Sequence, residues 1–539
     1  MSGSDIDPKE DAAPTVPVDH RAVRWTRSVL VVVLTVALAG CVDSMTEGGD
    51  GGDNASARVT QLVAEADAAP TPQLNWGACG EPELDGYECA VAQVPLDYSR
   101  PAERTLPLAV VRRPAADPDH RIGTLFAGVG GPGGSGYDWA RDTDILSGEL
   151  ARRFDVVTFD QRGIGRSSQV HCFADPAAQQ QFWDDVALPP VNSDQQAAAA
   201  VAARELAAGC SEHSGDLLPH LTTVDAARDL DLLRRAMGEA QMNYIGYSYA
   251  SYLGQVYGAL FGDRVRALQL GSMVAPDLYT NDSAAALGQT AAGTEEVFTE
   301  FARLCELAAP GACAFAGEGV RHRAATLLDR LKQDPIVVGT GAEALPVSYR
   351  DVMLVHVALL YDSEQGWPAL AQLLTELERG PQGDPNTARE VLSAVPYTND
   401  FLESYTAISC ADNAFPRDPE RWPTFAATSP EYGAYWLYPL QACASWPAPP
   451  TGYPQRYTGP WTLHTQTPAL LINNRFDPAT PLSLAQRAEQ ALGNAHLLVI
   501  PGYGHDPTSP CVRAVQERYL IDLKLPDTGC PPAHVPFTD

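Results

Sequence analysis

The chain has 539 residues, of which 45% are hydrophobic and 19% charged, and its formal net charge is −30. This length suits one large core with an inserted or appended second unit. The excess of Asp and Glu (67) over Lys and Arg (37) argues against the basic face that nucleic-acid binding requires. The acidity favours solubility and is compatible with basic ligands, including a free amino terminus.

Residues 1–40 have the pattern of a signal peptide. Arg21, Arg24 and Arg27 precede an apolar run at 29–39, which is too short to span a bilayer. The run ends in Leu-Ala-Gly-Cys at Cys41, which resembles the bacterial lipobox, whose cysteine is lipidated. We therefore expect a protein of the cell envelope, lipid-anchored through Cys41 on the outer side of the cytoplasmic membrane or released from it. The alternative is an ordinary signal peptide with a chance cysteine.

Ten further cysteines, an even number in a chain with an export signal, indicate a disulfide framework. No C-x-x-C occurs and no His stands near a cysteine pair at ligand spacing, so we expect no metal site. Pairing between neighbours encloses one plausible loop per pair. It predicts five bridges: Cys79–Cys89, Cys172–Cys210, Cys305–Cys313, Cys410–Cys443 and Cys511–Cys530.

Composition divides the rest of the chain into four segments. Residues 41–70 are rich in Gly, Asp, Ala and Pro, which predicts a flexible tether. Helices alternating with apolar strands over 71–275 predict a mostly parallel sheet. Helical patterns dominate 276–460 and predict a helical cap inserted into that core. The strand and helix alternation then returns over 461–539 and completes the core.

The motif Gly246-Tyr-Ser248-Tyr-Ala250 is the first candidate for catalysis. A strand-like run at 242–245 precedes it and a helix-like run at 250–260 follows it. A sharp strand-to-helix turn exposes a nucleophilic serine, as in the G-x-S-x-G elbow. Ala250 stands where that motif has Gly, so the pentapeptide alone is a weak signal. The sequence predicts Ser248 as a nucleophile that needs a base and an acid elsewhere.

Asp477 and His505 follow Ser248 in the order Ser, acid, His that is typical of α/β-hydrolases. Each comes after a predicted strand, where loops at the carboxyl edge of a sheet lie. Taken singly, Asp477 suits a turn or helix cap equally well, and His505 suits an ordinary loop. Together they predict a triad in which His505 is the base and Asp477 orients it.

The tetrahedral oxyanion of acyl transfer requires backbone N–H donors. We predict one from Tyr249, directly after the nucleophile, and one from Gly131 in the Gly-rich run at 128–136. The same run matches the G-x-G-x-x-G of dinucleotide folds. However, Pro132 removes one N–H group and no amphipathic helix follows immediately, so we expect no cofactor.

A second dense motif, at 160–168, follows a predicted strand at 156–159. Its glycines and charged residues predict a tight turn. A structural loop locked by Asp160 and Arg162 is favoured over a direct role in catalysis.

Together, these stretches resemble the secreted actinobacterial serine exopeptidases of the tripeptidyl aminopeptidase family, relatives of prolyl iminopeptidase. The resemblance implies an α/β-hydrolase fold, mostly parallel and with an inserted helical cap, with Ser248, Asp477 and His505 as its triad. The chain departs from the family at Ala250, at 128–129 (usually Asn-Pro) and at 270–273 (usually an acidic L-D-G). The matching stretches are 94–98, 130–136, 160–167, 244–249, 477–481 and 502–505, and the segment between Cys511 and Cys530 is similar to the family's carboxyl-terminal domain.

The predicted function is therefore an exported serine aminopeptidase that releases di- or tripeptides from peptide substrates. Such an enzyme needs a group that binds the substrate ammonium, and Asp412 is a candidate because a disulfide at Cys410 would fix it. A solvated loop acid is the alternative for Asp412. Two rival functions are an esterase or lipase on the same fold and a non-catalytic binding lipoprotein of the envelope.

Overall fold

A nine-stranded sheet and a two-stranded hairpin are formed by the part of the chain that the computed structural model describes, namely residues 50–143, 146, 148–394, 397–449, 453 and 455–538. Their strands are β1 (Gly77–Ala78), β2 (Glu88–Pro95), β3 (Thr105–Arg113), β4 (Gly123–Gly128), β5 (Phe154–Phe159), β6 (Met242–Tyr247), β7 (Val265–Gly271), β8 (Ile336–Val338), β9 (Leu345–Val347), β10 (Ala469–Phe476) and β11 (Ala495–Tyr503).

Helices occupy the connections between these strands. They are α1 (Asp50–Ala68), α2 (Gly136–Asp142), α3 (Gly148–Arg153), α4 (Pro176–Asp185), α5 (Ser193–Ser214), α6 (Thr223–Ala236), α7 (Tyr249–Leu260), α8 (Pro276–Asn281), α9 (Ser283–Leu307), α10 (Val320–Leu331), α11 (Tyr349–Leu359), α12 (Gly366–Arg379), α13 (Pro385–Leu392), α14 (Asn399–Asp412), α15 (Trp422–Ala426), α16 (Gly433–Leu437), α17 (Leu482–Leu492) and α18 (Pro510–Asp522).

The strand order in the large sheet is β1-β2-β3-β5-β4-β6-β7-β10-β11. The six strands from β5 to β11 in this order pair in parallel, whereas β1, β2 and β3 pair antiparallel at one edge. Parallel neighbours require crossover connections, which the helices supply. The structure confirms the predicted mostly parallel sheet. It also places the carboxyl ends of β4, β6, β10 and β11 along one edge.

Both faces of the sheet are covered, because successive strand residues point to opposite sides. In β6, Tyr244 packs into the core on the α6 and α7 side, with Leu233 and Leu253. The next residue, Ile245, packs into the core on the α18 side, with Tyr519. The apolar runs in the central strands are thus explained by burial on two faces.

The helices α8 to α16 lie between β7 and β10 in the chain, where the sequence predicts the cap. They have an apolar core of their own, which includes Phe298, Phe301, Val352, Trp367 and Leu374, all fully buried. The antiparallel hairpin of β8 and β9 lies within this segment and was not predicted. Each strand has only three residues, too few to show an alternating pattern.

The predicted tether is wrong over most of its length, because 50–68 form the helix α1. Leu62 and Ala66 are completely buried against the core, and Glu65 pairs with the buried Arg228 at 2.7 Å. Gly and Asp near residue 50 dominate the composition of the segment 41–70 and obscure the helical spacing of the apolar residues that follow them in the chain. The signal segment and Cys41 lie outside the described residues. No helix within the described ranges is both long and apolar enough to cross a membrane.

A second insertion, α4 and α5, separates β5 from β6 and was not predicted. Alanines occupy both faces of α5, so its sequence has little amphipathic contrast. A disulfide between Cys172 and Cys210 ties α5 to the loop before α4. The structure joins all ten described cysteines in the same five neighbouring pairs that the spacing suggests.

Candidate active site

Ser248 occupies the turn between β6 and α7. Its backbone angles, φ 57° and ψ −129°, lie in a region that residues other than Gly rarely adopt. The Ser248 N–H donates to the Gly271 carbonyl (3.1 Å) and its carbonyl accepts from the Ser251 N–H (2.8 Å), so neighbouring backbone holds the strained turn. Strain of this kind persists where the surroundings determine the conformation, and it is common at catalytic residues.

Two departures from the usual motif, Ala250 and Gly128, are neighbours in space. A Cβ added to Gly128 would lie 2.1 Å from the Tyr244 hydroxyl oxygen and 2.9 Å from the Ala250 methyl group. Gly246 is also confined, because a Cβ there would meet the Ala250 carbonyl oxygen at 2.7 Å. Gly128 thus leaves room for both the Tyr244 hydroxyl and the Ala250 methyl group beside the elbow.

His505 and Asp477 form a hydrogen-bonded pair. His505 Nδ1 lies 3.0 Å and 3.1 Å from the two carboxylate oxygens of Asp477, which is 1% exposed. The carboxylate also accepts from the Ala479 and Thr480 N–H groups and from the Thr480 hydroxyl (2.7 to 2.9 Å). These bonds fix the carboxylate and leave His505 Nε2 as the nitrogen that can serve as a base.

The electrostatics of this pair favour a basic imidazole. Burial lowers the pKa of His505, but the Asp477 charge and hydrogen bond outweigh it and raise the pKa above the ordinary value. An imidazolium that forms when the base takes a proton is therefore stabilised.

The loop that bears His505 is held from the cap. The His505 N–H donates to the Tyr361 carbonyl (2.8 Å), and the Gly504 N–H donates to the Phe476 carbonyl (2.9 Å). Gly504 has φ +88°, and a Cβ there would lie 2.4 Å from the Tyr361 oxygen, so glycine is required. The Tyr361 ring also lies 4.8 Å from the imidazole. This contact could not be predicted from the sequence, since Tyr361 is distant from His505 in the chain.

The Gly-rich loop after β4 closely approaches the nucleophile. A Cβ on Gly130 would lie 2.9 Å from Ser248 Cβ, and Gly131 lines the same cavity as Ser248. Ser135 caps α2 at the end of the loop and donates to the buried Asp160 (2.7 Å), which also accepts from the Tyr137 N–H (3.0 Å). The loop is thereby anchored next to Ser248, where Gly131 and Tyr249 are the predicted oxyanion donors.

Asp160 and Arg162 both hold their loop, which agrees with the predicted structural role, and each does so through its own partners. Asp160 accepts from the Arg166 N–H within the loop (2.8 Å). Arg162 forms a buried ion pair with Asp229 of α6 (2.6 and 2.7 Å) and donates to the Pro95 and Leu96 carbonyls. The motif therefore ties β2, α6 and the Gly-rich loop together. Its role is structural, with partners that are distant in the sequence.

Ser248, Tyr249, His505 and the Gly-rich loop line one cavity of about 540 Å³ between the sheet edge and the cap. Its wall is mainly apolar and aromatic. Tyr397, Phe401 and Tyr405 form a stacked row, at centroid distances of 4.6 Å and 6.1 Å, beside the Gly-rich loop. Their i, i+4, i+8 spacing is visible in the sequence and could have indicated one helix face. Other wall residues are Tyr279, Leu287, Leu354, Tyr361, Phe415, Tyr435, Trp436 and Leu484.

Asp412 does not have the environment expected of a group that contacts the substrate ammonium directly. It is 2% exposed, and its carboxylate accepts from the Thr223 N–H (2.7 Å) and hydroxyl (2.5 Å). Thr223 Oγ1 in turn lies 2.6 Å from the Tyr249 hydroxyl. Asp412 therefore caps the start of α6 below the cavity, because its carboxylate satisfies a free N–H group of the first helical turn.

Comparison with known proteins places these features in a family. A sequence model described as "alpha/beta hydrolase fold" matches residues 129–309, and one described as "TAP-like protein" matches residues 429–531. The chain is 30% identical to the tripeptidyl aminopeptidase of Streptomyces lividans over 479 residues, which cover 83% of this chain and 84% of the relative. The chain belongs to the tripeptidyl aminopeptidase family of α/β-hydrolases. Accordingly it is a serine peptidase, and the predicted fold class is confirmed.

Two mycobacterial relatives are named for different activities. The chain is 29% identical to serine protease Hip1 of Mycobacterium tuberculosis over 493 residues, covering 85% of this chain and 90% of the relative. It is 30% identical to carboxylesterase B of the same species over 499 residues, covering 85% and 89%. The family thus includes proteins named as peptidases and as an esterase.

Proposed function

We propose that the protein is an aminopeptidase that releases short peptides through an acyl-enzyme on Ser248, with His505 as base and Asp477 as the acid that orients it. The observation that supports this most is the pairing of His505 with Asp477 in the cavity that Ser248 also lines. The order in the sequence and the strained turn at Ser248 agree with it.

In this mechanism, His505 Nε2 removes the Ser248 proton as Ser248 Oγ attacks the substrate carbonyl. The Gly131 and Tyr249 N–H groups bind the oxyanion, and the imidazolium then protonates the leaving amine. Water, activated by the same base, releases the acyl group. Asp477 keeps the imidazole in the tautomer that these proton transfers require.

The cavity favours apolar residues in the acyl part of the substrate. Its aromatic wall stabilises apolar side chains by burial and disfavours unpaired charges. A volume of about 540 Å³ is compatible with a short peptide segment. These features support the release of di- or tripeptides, and the Streptomyces relative is named a tripeptidyl aminopeptidase.

The decisive experiment is labelling of the purified protein with a fluorophosphonate, followed by digestion of a free-amine peptide library and mass spectrometry. We expect labelling that disappears in Ser248→Ala, together with release of short amino-terminal fragments. Labelling that survives in Ser248→Ala would falsify the assignment of the nucleophile. Cleavage inside chains, without amino-terminal products, would contradict the aminopeptidase function.

An esterase is the second candidate, because a relative of equal identity is named carboxylesterase B and the wall of the cavity is apolar. The same triad hydrolyses esters and amides. Parallel kcat/KM measurements on tripeptide p-nitroanilides and on p-nitrophenyl esters of matched apolar acids decide between the two. Ester turnover without any amide turnover would favour the esterase.

We further propose attachment to the outer side of the cytoplasmic membrane through a lipid on Cys41. The support is the sequence of residues 21–41, with three arginines, a short apolar run and Leu-Ala-Gly-Cys. Replacement of Cys41 by Ser should move the protein from the membrane fraction to the soluble fraction. Retention of that variant in the membrane fraction would contradict the anchor.

A further inference from the structure

Two buried polar atoms in the cavity wall have no hydrogen bond of normal geometry within the part of the chain that the structure describes: the amide oxygen of Asn413 and the hydroxyl of Tyr279. Asn413 is 4% exposed. Its backbone N–H ends α14 by donating to the Ser409 carbonyl (3.1 Å), so the helix does not use the side chain. An unpaired buried acceptor costs about 1–3 kcal/mol, so a ligand that donates hydrogen bonds here would recover that energy.

These atoms lie together with the Ser409 hydroxyl, and we call Tyr279, Ser409 and Asn413 the Asn413 patch. Burial raises the pKa of Tyr279 well above its ordinary value and the Asp412 charge raises it further, whereas weak hydrogen bonding to the Asn413 and Ser409 side chains lowers it. All three residues line the cavity that Ser248 lines. The patch therefore presents several uncharged acceptors to one point of the cavity.

The electrostatic potential at the patch is suited to a cation. It lies at the carboxyl end of the 14-residue helix α14, where unpaired carbonyl groups have a partial negative charge. Asp412 adds a negative charge through space when it is ionised, as its effect on Tyr279 shows, and burial raises its pKa to about 7. Among the described wall residues the one carboxylate is Asp506, which directly follows His505. A cation bound away from the base thus has the Asn413 patch as its best acceptor.

We propose that the Asn413 patch binds the free α-ammonium group of the peptide substrate, a role that rests on the proposed aminopeptidase function. An ammonium has three N–H donors and no acceptor, which matches a group of three acceptors. Asp412 contributes only its field, since its own oxygens are bonded to Thr223. The separation between the patch and Ser248 then sets how many residues are removed in each cut.

The test measures kcat/KM for one apolar tripeptide p-nitroanilide with a free amine and for its N-acetyl form, and takes their ratio. The parent should prefer the free amine. Asn413→Leu should lower the ratio about 10- to 100-fold, as expected for loss of a hydrogen bond to a charged group. Asn413→Asp should raise it, because it places a carboxylate at the same point. The exposed Asn386 of α13 is the matched control, and Asn386→Leu and Asn386→Asp should leave the ratio at the parent value.

Tyr279→Phe provides a second probe that keeps the ring and removes only the hydroxyl, in case Asn413→Leu does not fold. A lower ratio in Tyr279→Phe supports the proposal. If the parent prefers the free amine and neither Tyr279→Phe nor Asn413→Asp changes the ratio, the ammonium binds elsewhere and the proposal is overturned. If the parent shows no preference for the free amine, but fluorophosphonate labelling is lost in Ser248→Ala, the triad stands and the ammonium site fails. Absence of both labelling and cleavage overturns the proposed function as well.

Discussion

At the scale of single residues, the most informative pair is His505 with Asp477. Both were found by their order after Ser248, and the structure places their side chains 3.0 Å apart. Order along the chain is informative because the carboxyl ends of parallel strands meet at one edge of a sheet. The residues that surround the pair, Thr480 and Tyr361, belong to a helix start and to the cap. Only the three-dimensional contacts reveal them.

The pH dependence of kcat/KM should report His505. The base must be neutral to accept the Ser248 proton, so activity should rise with pH through a pKa above the ordinary 6.5. Asp477→Asn removes the charge that raises this pKa and leaves burial, which lowers it. The acid limb should therefore move to lower pH while kcat falls about 10⁴-fold. An acid limb that stays in place in Asp477→Asn would show that another group titrates.

Asp412 illustrates what spacing cannot predict. Its position beside Cys410 correctly indicated a constrained acid, but the direction of its side chain depends on α6, which is remote in the sequence. Burial raises its pKa to about 7, against the hydrogen bonds from Thr223 that lower it. The neighbouring Asn413, which has no special sequence context, lines the cavity instead.

A stability measurement follows from the raised pKa of Asp412. Between its ordinary value near 3.8 and about 7, the folded protein binds more protons than the unfolded chain. Its stabilising contribution is thus complete below about 4 and lost as pH rises to 7. In the parent, the free energy of unfolding should fall as the pH rises from 5 to 8. In Asp412→Asn this fall should be smaller, because the variant has no carboxyl group to ionise at this position. Asp400→Asn, at the exposed start of the same helix, is the control and should leave the parent's pH dependence intact.

At the scale of elements, the cap and the core meet at the His505 loop. The loop conformation depends on Gly504, which is at φ +88° and is pressed against the Tyr361 carbonyl at the end of the cap helix α11. The cap thereby helps to position the catalytic base, in addition to lining the substrate cavity.

Gly504→Ala should displace this loop. The added methyl would lie 2.4 Å from the Tyr361 oxygen, in a backbone region that alanine rarely adopts. Because a shift of about 1 Å at a catalytic group costs on the order of 100-fold in rate, kcat should fall by about that factor. Gly529→Ala, which has open space around it, is the matched control. Parent-like kcat in Gly504→Ala would mean that the loop tolerates the displacement.

The sequence predicted elements with strong periodicity and missed those without it. The central strands are apolar because both their faces are buried, and α6 and α9 to α12 show clear helical spacing. In contrast, α5 is a run of alanines with polar residues on every side, and β8 and β9 are too short to alternate. The lining of the cavity could not be predicted, since it combines residues of α8, α9, α11, α14, α16 and α17 with several loops of the core.

At the scale of the whole molecule, the amino-terminal helix α1 is part of the folded protein. Its Leu62 and Ala66 join the core that also contains α6 and α7. Arg235 of α6 donates to the Ala66 and Ala69 carbonyls, which closes the end of the helix. The contact between α1 and α6 also includes a buried charge. Arg228 of α6 is completely enclosed, and it donates to Glu65 of α1 as well as to Asp225 and Gln455.

Glu65→Gln tests whether α1 stabilises the catalytic core. The change keeps the size of the side chain but removes the charge that faces Arg228 at 2.7 Å. Weakening a charged hydrogen bond to a buried guanidinium should reduce the free energy of unfolding by about 1–3 kcal/mol. Arg58→Gln, whose side chain bonds to Gln61 of the same helix at the surface, should cost much less. Denaturant unfolding followed by circular dichroism measures both variants. Equal stabilities would show that the Glu65–Arg228 pair does not stabilise the fold, whereas the expected difference would show that α1 stabilises the core through this pair.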